Sequence, residues 1–79
     1  MSQRVEAELV ANVIKVLVAP GESVAVGDML VLLESMKMEI PVETEWAGQV
    51  AEVGVSEGDV VSEGDLIAVI DDKPAPRSH

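Results

Sequence analysis

Residues 30–40 read Leu30-Val31-Leu32-Leu33-Glu34-Ser35-Met36-Lys37-Met38-Glu39-Ile40, and the fold turns on whether they form one helix or two strands. Leu33, Met36 and Ile40 have helical spacing, the stretch is rich in helix formers, and Pro41 would end such a helix. Taken alone, the stretch favours a helix. A repeat in the chain overrules it. Sliding the sequence by 37 positions aligns residues 8–34 with 45–71 without a gap. Identities fall at Glu8/Glu45, Val13/Val50, Val16/Val53, Val18/Val55, Gly21/Gly58, Val24/Val61, Gly27/Gly64 and Asp28/Asp65. Leu30 to Leu33 then lies over Ile67-Ala68-Val69-Ile70, a run whose β-branched residues suit a strand. The first copy is therefore read as strand-turn-strand: Leu30 to Glu34, a reversal around Met36-Lys37, and Ile40 to Thr44.

The same reading extends outward. The apolar residues include 15 Val and 4 Ile against 6 Leu, which suits pleated strands. Alternation is visible in Val5, Ala7 and Leu9 against Glu6 and Glu8, in Ile14, Val16 and Val18 against Lys15 and Leu17, and in Ile40 and Val42 against Glu39, Pro41 and Glu43. Between such stretches lie Pro20-Gly21, Gly27-Asp28, Ala47-Gly48, Gly58-Asp59 and Gly64-Asp65, pairs with the chemistry of tight turns. The expected class is all-β. Two copies of one unit, each too small to bury its own face, should combine into a sandwich or flattened barrel with quasi-two-fold symmetry. The domain is placed at residues 4–71, with repeats 8–34 and 45–71 and a hairpin at 35–39. Residues 72–79, with two prolines and no apolar period, are read as a flexible tail.

Composition narrows the function classes. A chain of 79 residues hides about 60% of its unfolded surface, too little for a deep substrate cleft. Apolar runs such as Met29–Leu33 are far too short to cross a bilayer. The absence of cysteine excludes disulfides and thiolate metal sites, and one histidine, His79, excludes an imidazole cluster. A net charge of −10 argues against nucleic acid and anionic membranes as partners. No charged start, apolar segment and cleavage site open the sequence, so a cytoplasmic location is expected.

One place violates the local rules that the rest of the chain obeys. Two-residue hairpin turns favour Asn-Gly or Gly-X, and Met36-Lys37 are poor occupants. Such a conflict marks a candidate functional site. It also presents a lysine at an exposed tip between two flexible, polarizable side chains. The acidic residues Glu22, Asp28, Glu57, Asp59, Glu63 and Asp65 are read as a solvated turn surface, and Trp46 as a filler of the barrel end.

Glu34-Ser35-Met36-Lys37-Met38-Glu39, with Gly21 to Asp28 before it and Ala47 to Val50 and Gly58 to Asp65 after it, resembles the biotinyl/lipoyl attachment domain family. Among its members the chain is most similar to small free-standing biotinylated proteins of the biotin carboxyl carrier type. The resemblance implies a barrel-sandwich hybrid of two four-stranded antiparallel sheets. It carries Lys37 over as the biotinylated lysine, with Met36 and Met38 as flanking methionines and Ser35, Glu34 and Glu39 completing the motif. Related lipoyl domains place Asp before the lysine and Ala or Val after it, so Met36 and Met38 point to biotin.

The implied role is that of a non-catalytic carrier. A biotin protein ligase using ATP would link biotin to Lys37 by an amide bond. The biotin would be carboxylated on its ureido nitrogen by a biotin carboxylase and deliver the carboxyl group at a carboxyltransferase, as in acyl-CoA carboxylases. An ordinary lysine loses its proton only at about pH 10.4, so activation is assigned to the ligase and its biotinyl-adenylate. Lys15, within a strand, and Lys73, in the tail, lack the hairpin setting. The isolated chain is expected to be a monomer, with its termini together at the barrel end away from Lys37. Two alternatives stand beside this reading: a lipoyl carrier on the same fold, and an unmodified interaction module.

Overall fold

The computed structural model describes residues 2–72. Among them eight strands and no helix follow one another: β1 (Ser2–Glu6), β2 (Ala11–Val16), β3 (Ser23–Val24), β4 (Met29–Ser35), β5 (Met38–Glu43), β6 (Gly48–Val53), β7 (Val60–Val61) and β8 (Leu66–Asp71). They form two four-stranded sheets, ordered β5-β4-β2-β7 and β1-β8-β6-β3, and every pairing is antiparallel. This is the all-β sandwich that the repeat and the resemblance both lead one to expect.

A shift of 37 residues carries β1 to β4 onto β5 to β8 and one sheet onto the other. Each sheet therefore takes two strands from each half of the chain, so neither half holds a complete sheet. The symmetry reaches single hydrogen bonds. The Ala7 N–H donates to the Asp65 carbonyl and the Ala7 carbonyl accepts from Gly64, both at 2.8 Å; Thr44 repeats the pattern with Asp28 at 3.0 Å and Gly27 at 2.8 Å. Pro41 sits on β5, an edge strand, where its missing N–H costs no ladder bond.

The core fills the space between the sheets. Leu30, Leu33, Ile67 and Ile70 are fully buried and form two repeat-related pairs. The register explains why Leu30 and Val31 are both buried, which simple alternation forbids. The β4–β5 ladder shifts between Met29 and Val31, and the β1–β8 ladder passes from Leu66 to Ala68, so Leu30 and Ile67 are bulged residues at equivalent places. A second pair of bulges corrects the expected face of β2. The β2–β4 ladder shifts between Val13 and Lys15, and the β6–β8 ladder between Val50 and Glu52. Val13 is consequently buried and Val16 and Val18 pack on the core, whereas Ile14 is not part of the core cluster. Strict alternation placed Ile14 inside because it cannot register an extra residue.

Four turns share one design, in which Glu22, Asp28, Asp59 and Asp65, exposed as the sequence reading expects, also cap a backbone N–H. In Ala25-Val26-Gly27-Asp28, Gly27 has φ +93°, the Asp28 N–H donates to the Ala25 carbonyl (3.0 Å), and the Asp28 carboxylate accepts from the Ala25 N–H (2.9 Å). Ser62-Glu63-Gly64-Asp65 repeats this, with Gly64 at φ +89° and carboxylate contact at 2.8 Å. Glu22 and Asp59 close the turns at Gly21 and Gly58 in the same way. The carboxylate supplies the acceptor that a solvent-facing N–H would otherwise take from water.

The register also places the first and last strands relative to the hairpin. Asn12 pairs with Glu34 near the β4–β5 turn, whereas the far end of β2 leads to Gly21 and Glu22, whose backbones bond to Val50 beside Gln49. Gln49 pairs with Asp71, which pairs with Ser2. Ser2 and Asp71 thus lie side by side, about 20 Å of strand away from the β4–β5 turn. The Gln3 side-chain amide donates to Asp72 Oδ2 (2.8 Å) and holds that carboxyl below its usual range. The rest of the expected tail, residues 73–79, lies outside the described residues.

Candidate attachment site

β4 and β5 pair from Met29↔Glu43 to Ser35↔Met38, leaving only Met36 and Lys37 to reverse the chain. The strands are one to two residues longer than read from the sequence, and the turn correspondingly tighter. Met36 has φ +53° and Lys37 φ +66°, the only non-glycine residues with positive φ among those described. Two consecutive left-handed residues make a type I′ turn, whose twist matches that of the flanking strands. For residues with a Cβ this conformation costs about 1–2 kcal/mol each. The strain is sustained because the ladder on both sides over-determines the turn.

This backbone aims the side chains outward. Met36 is 92% exposed and Met38 65%, and Lys37 is exposed between them. Among the described residues no hydrogen bond or ion pair restrains the Lys37 ammonium. Glu34 and Glu39 are direct cross-strand partners and both are exposed, so two like charges face each other beneath the tip. Ser35 is half-buried opposite Met38. All six motif residues therefore gather at one end of one hairpin. Lys15 is exposed within β2, and Lys73 lies outside the described residues.

A group tethered covalently to an amine needs no cavity; it needs an unrestrained amine that another protein can enclose. The tip meets that requirement. Trp46 is elsewhere: half-buried against the core, it lines with Arg4, Leu9 and Pro41 a groove between the edge strands β1 and β5. Its backbone is fixed by Thr44, which the sequence reading did not single out. Thr44 Oγ1 donates to the Trp46 carbonyl (2.7 Å) and accepts from the Trp46 N–H (3.0 Å), which lets a hydroxyl be buried without loss. A threonine where the repeat has Ala7 was the available signal.

The model of the biotin/lipoyl family, described as "Biotin-requiring enzyme", matches residues 4–70. The chain belongs to this family. Among curated proteins it is 59% identical over 52 residues to the biotinylated protein TB7.3 homolog of Mycobacterium leprae, covering 66% of this chain and 73% of that one. It is 60% identical over 42 residues to the homolog of Mycolicibacterium smegmatis, covering 53% of this chain and 59% of that one. Among solved structures the fold matches part of a single-chain, multi-domain long-chain acyl-CoA carboxylase with a TM-score of 0.84 and 30% identity. It matches part of the urea carboxylase of Kluyveromyces lactis with a TM-score of 0.84 and 32% identity. These alignments cover 94% and 90% of this chain but only 7% and 6% of the carboxylases.

Proposed function

We propose that this chain is a biotin carboxyl carrier, biotinylated on Lys37, that serves a biotin carboxylase and a carboxyltransferase of an acyl-CoA-type system. The observation that carries the reading is the unrestrained Lys37 at a strained, two-residue tip between exposed Met36 and Met38, in a chain of the biotin/lipoyl family. The names of the relatives and the carboxylase context of the structural neighbours support it.

Each residue has a definable part. In a ligase that removes its proton, Lys37 Nζ would attack the carbonyl of biotinyl-adenylate, forming an uncharged amide and releasing AMP, which makes the chain one unit more negative. Met36 and Met38 give apolar contact to the ligase and to the tethered ring. Glu34, Ser35 and Glu39 form the rungs that hold the turn. When bound, biotin supplies a ureido nitrogen that takes up a carboxyl group at one enzyme and yields it at another. The domain supplies position rather than chemistry: Ser2 and Asp71 lie side by side at the opposite end from the tip. A cytoplasmic setting, with ATP and ligase at hand, follows from this role.

The test is the intact mass of the chain isolated from its host under biotin-replete conditions, with peptide mapping around Lys37. One biotinyl group on Lys37, lost completely in Lys37→Arg with the fold retained, is the expected result. A lipoyl or octanoyl addition would move the chain to the lipoyl carriers. An unmodified mass would favour the interaction module.

A further inference from the structure

Near the tip, the outer face of the β5-β4-β2-β7 sheet carries large apolar side chains that the fold does not use. Val10 lies two residues beyond Asn12, and Met36 two residues beyond its partner Glu34, so both continue the exposed face of their strands past the same end of the ladder. Val60 pairs with Asn12 and so lies about 10 Å from Glu34, two strands over. Val10 is 61% exposed and Val60 66%; Met36, 92% exposed, continues this face, whereas Met38, paired with Ser35, belongs to the other side of the hairpin. The internal repeat supplies a comparison: the positions equivalent to Val10 and Val60 are Ala47 and Ser23, also exposed. Identical backbone pairing is thus satisfied by small or polar residues at the chain-end side, Ser23 pairing with Gln49 as Val60 does with Asn12. Neither valine is required by the fold.

We infer that Val10 and Val60 extend Met36, on this face of the hairpin, into an apolar docking surface for the enzyme that modifies Lys37. The inference rests on the carrier reading above. The ligase is the occupant because the amine must reach its reaction centre on nothing longer than the four-carbon stem of lysine. The ligase surface must therefore close around the tip itself. A specific interface buries about 800 Å² on each partner, a disc of roughly 16 Å radius, which centred on the tip takes in both valines. Later partners meet a longer tethered arm and need not touch this face.

The surface is tested by steady-state biotinylation of the whole chain with the host ligase, biotin and ATP. Val10→Ala and Val60→Ser install the residues that the other copy already uses; Val60→Thr is the substitute should the serine lower the melting temperature. The control is Val26→Ser, at 67% exposure on the Ala25–Asp28 turn, at the far end of the β4–β5 ladder. The double variant should raise KM about tenfold with kcat unchanged, as for truncation of buried interface side chains, while Val26→Ser stays within twofold of the unsubstituted chain. An unchanged KM in the double variant, or an equal rise in Val26→Ser, would overturn the surface while leaving the carrier reading intact. An unsubstituted chain that the ligase leaves unmodified would overturn the carrier reading and the surface with it.

Discussion

At Ala25–Asp28 and Ser62–Asp65 the chain reverses through a glycine near φ +90°, and an aspartate carboxylate caps the exposed N–H. At Ser35–Met38 it reverses through two residues with side chains, both left-handed, with no carboxylate capping the turn among the described residues. The first kind of turn is chemically self-sufficient. The second depends on the ladder beneath it. The contrast teaches where stability is given up: the strained turn consists of Met36 and Lys37, a pair that hairpin preference alone would not choose.

That contrast can be broken first at the glycines. Gly27→Val or Gly64→Val puts a β-branched residue at a φ it rarely adopts. Nothing lies within 4 Å of either added Cβ, so the cost is conformational alone. Each should lower stability by about 2–3 kcal/mol, a fall of roughly 8–20 °C in melting temperature by calorimetry. The two should agree closely, since the turns are repeat-related; a large difference would mean that the symmetry does not extend to energetics.

Removing the caps is a milder intervention. Asp28→Ala and Asp65→Ala each delete one side-chain acceptor on an exposed N–H, for an expected loss of about 1 kcal/mol in urea denaturation. Smallest in size and opposite in sign is Met36→Asn, which places a residue tolerant of the left-handed region at the tip. It should stabilise the domain by about 0.5–1 kcal/mol and slow biotinylation by removing one flanking methionine. A Met36→Asn protein that is no more stable would show the tip to be unstrained.

Much of this was legible beforehand. The repeat decided strand against helix at Leu30 to Leu33, and the tight reversal at Met36-Lys37 followed from it. Alternation placed Val5 and Ala7 inside and put Glu39, Pro41 and Glu43 outside. It failed at Ile14, because a bulge inserts one residue and resets the face on which later side chains fall. The Gly-Asp pairs were legible as turn chemistry, but the particular N–H that each carboxylate takes was not. A charged residue beside a glycine looks solvated until the backbone brings its carboxylate onto the N–H three residues earlier.

By itself the sequence determined the strand character, the two-fold repeat and the lysine that breaks turn preference, because these depend on residue type and on spacing along one chain. Only the tertiary structure decided which strands share a sheet, that Leu30 and Ile67 are bulged, that Thr44 is buried and satisfied, and that Val10 and Val60 stand beside the tip. Those facts depend on cross-strand register between segments distant in the chain. Register is set when both inner faces are buried together, and neither half carries enough surface to set it alone.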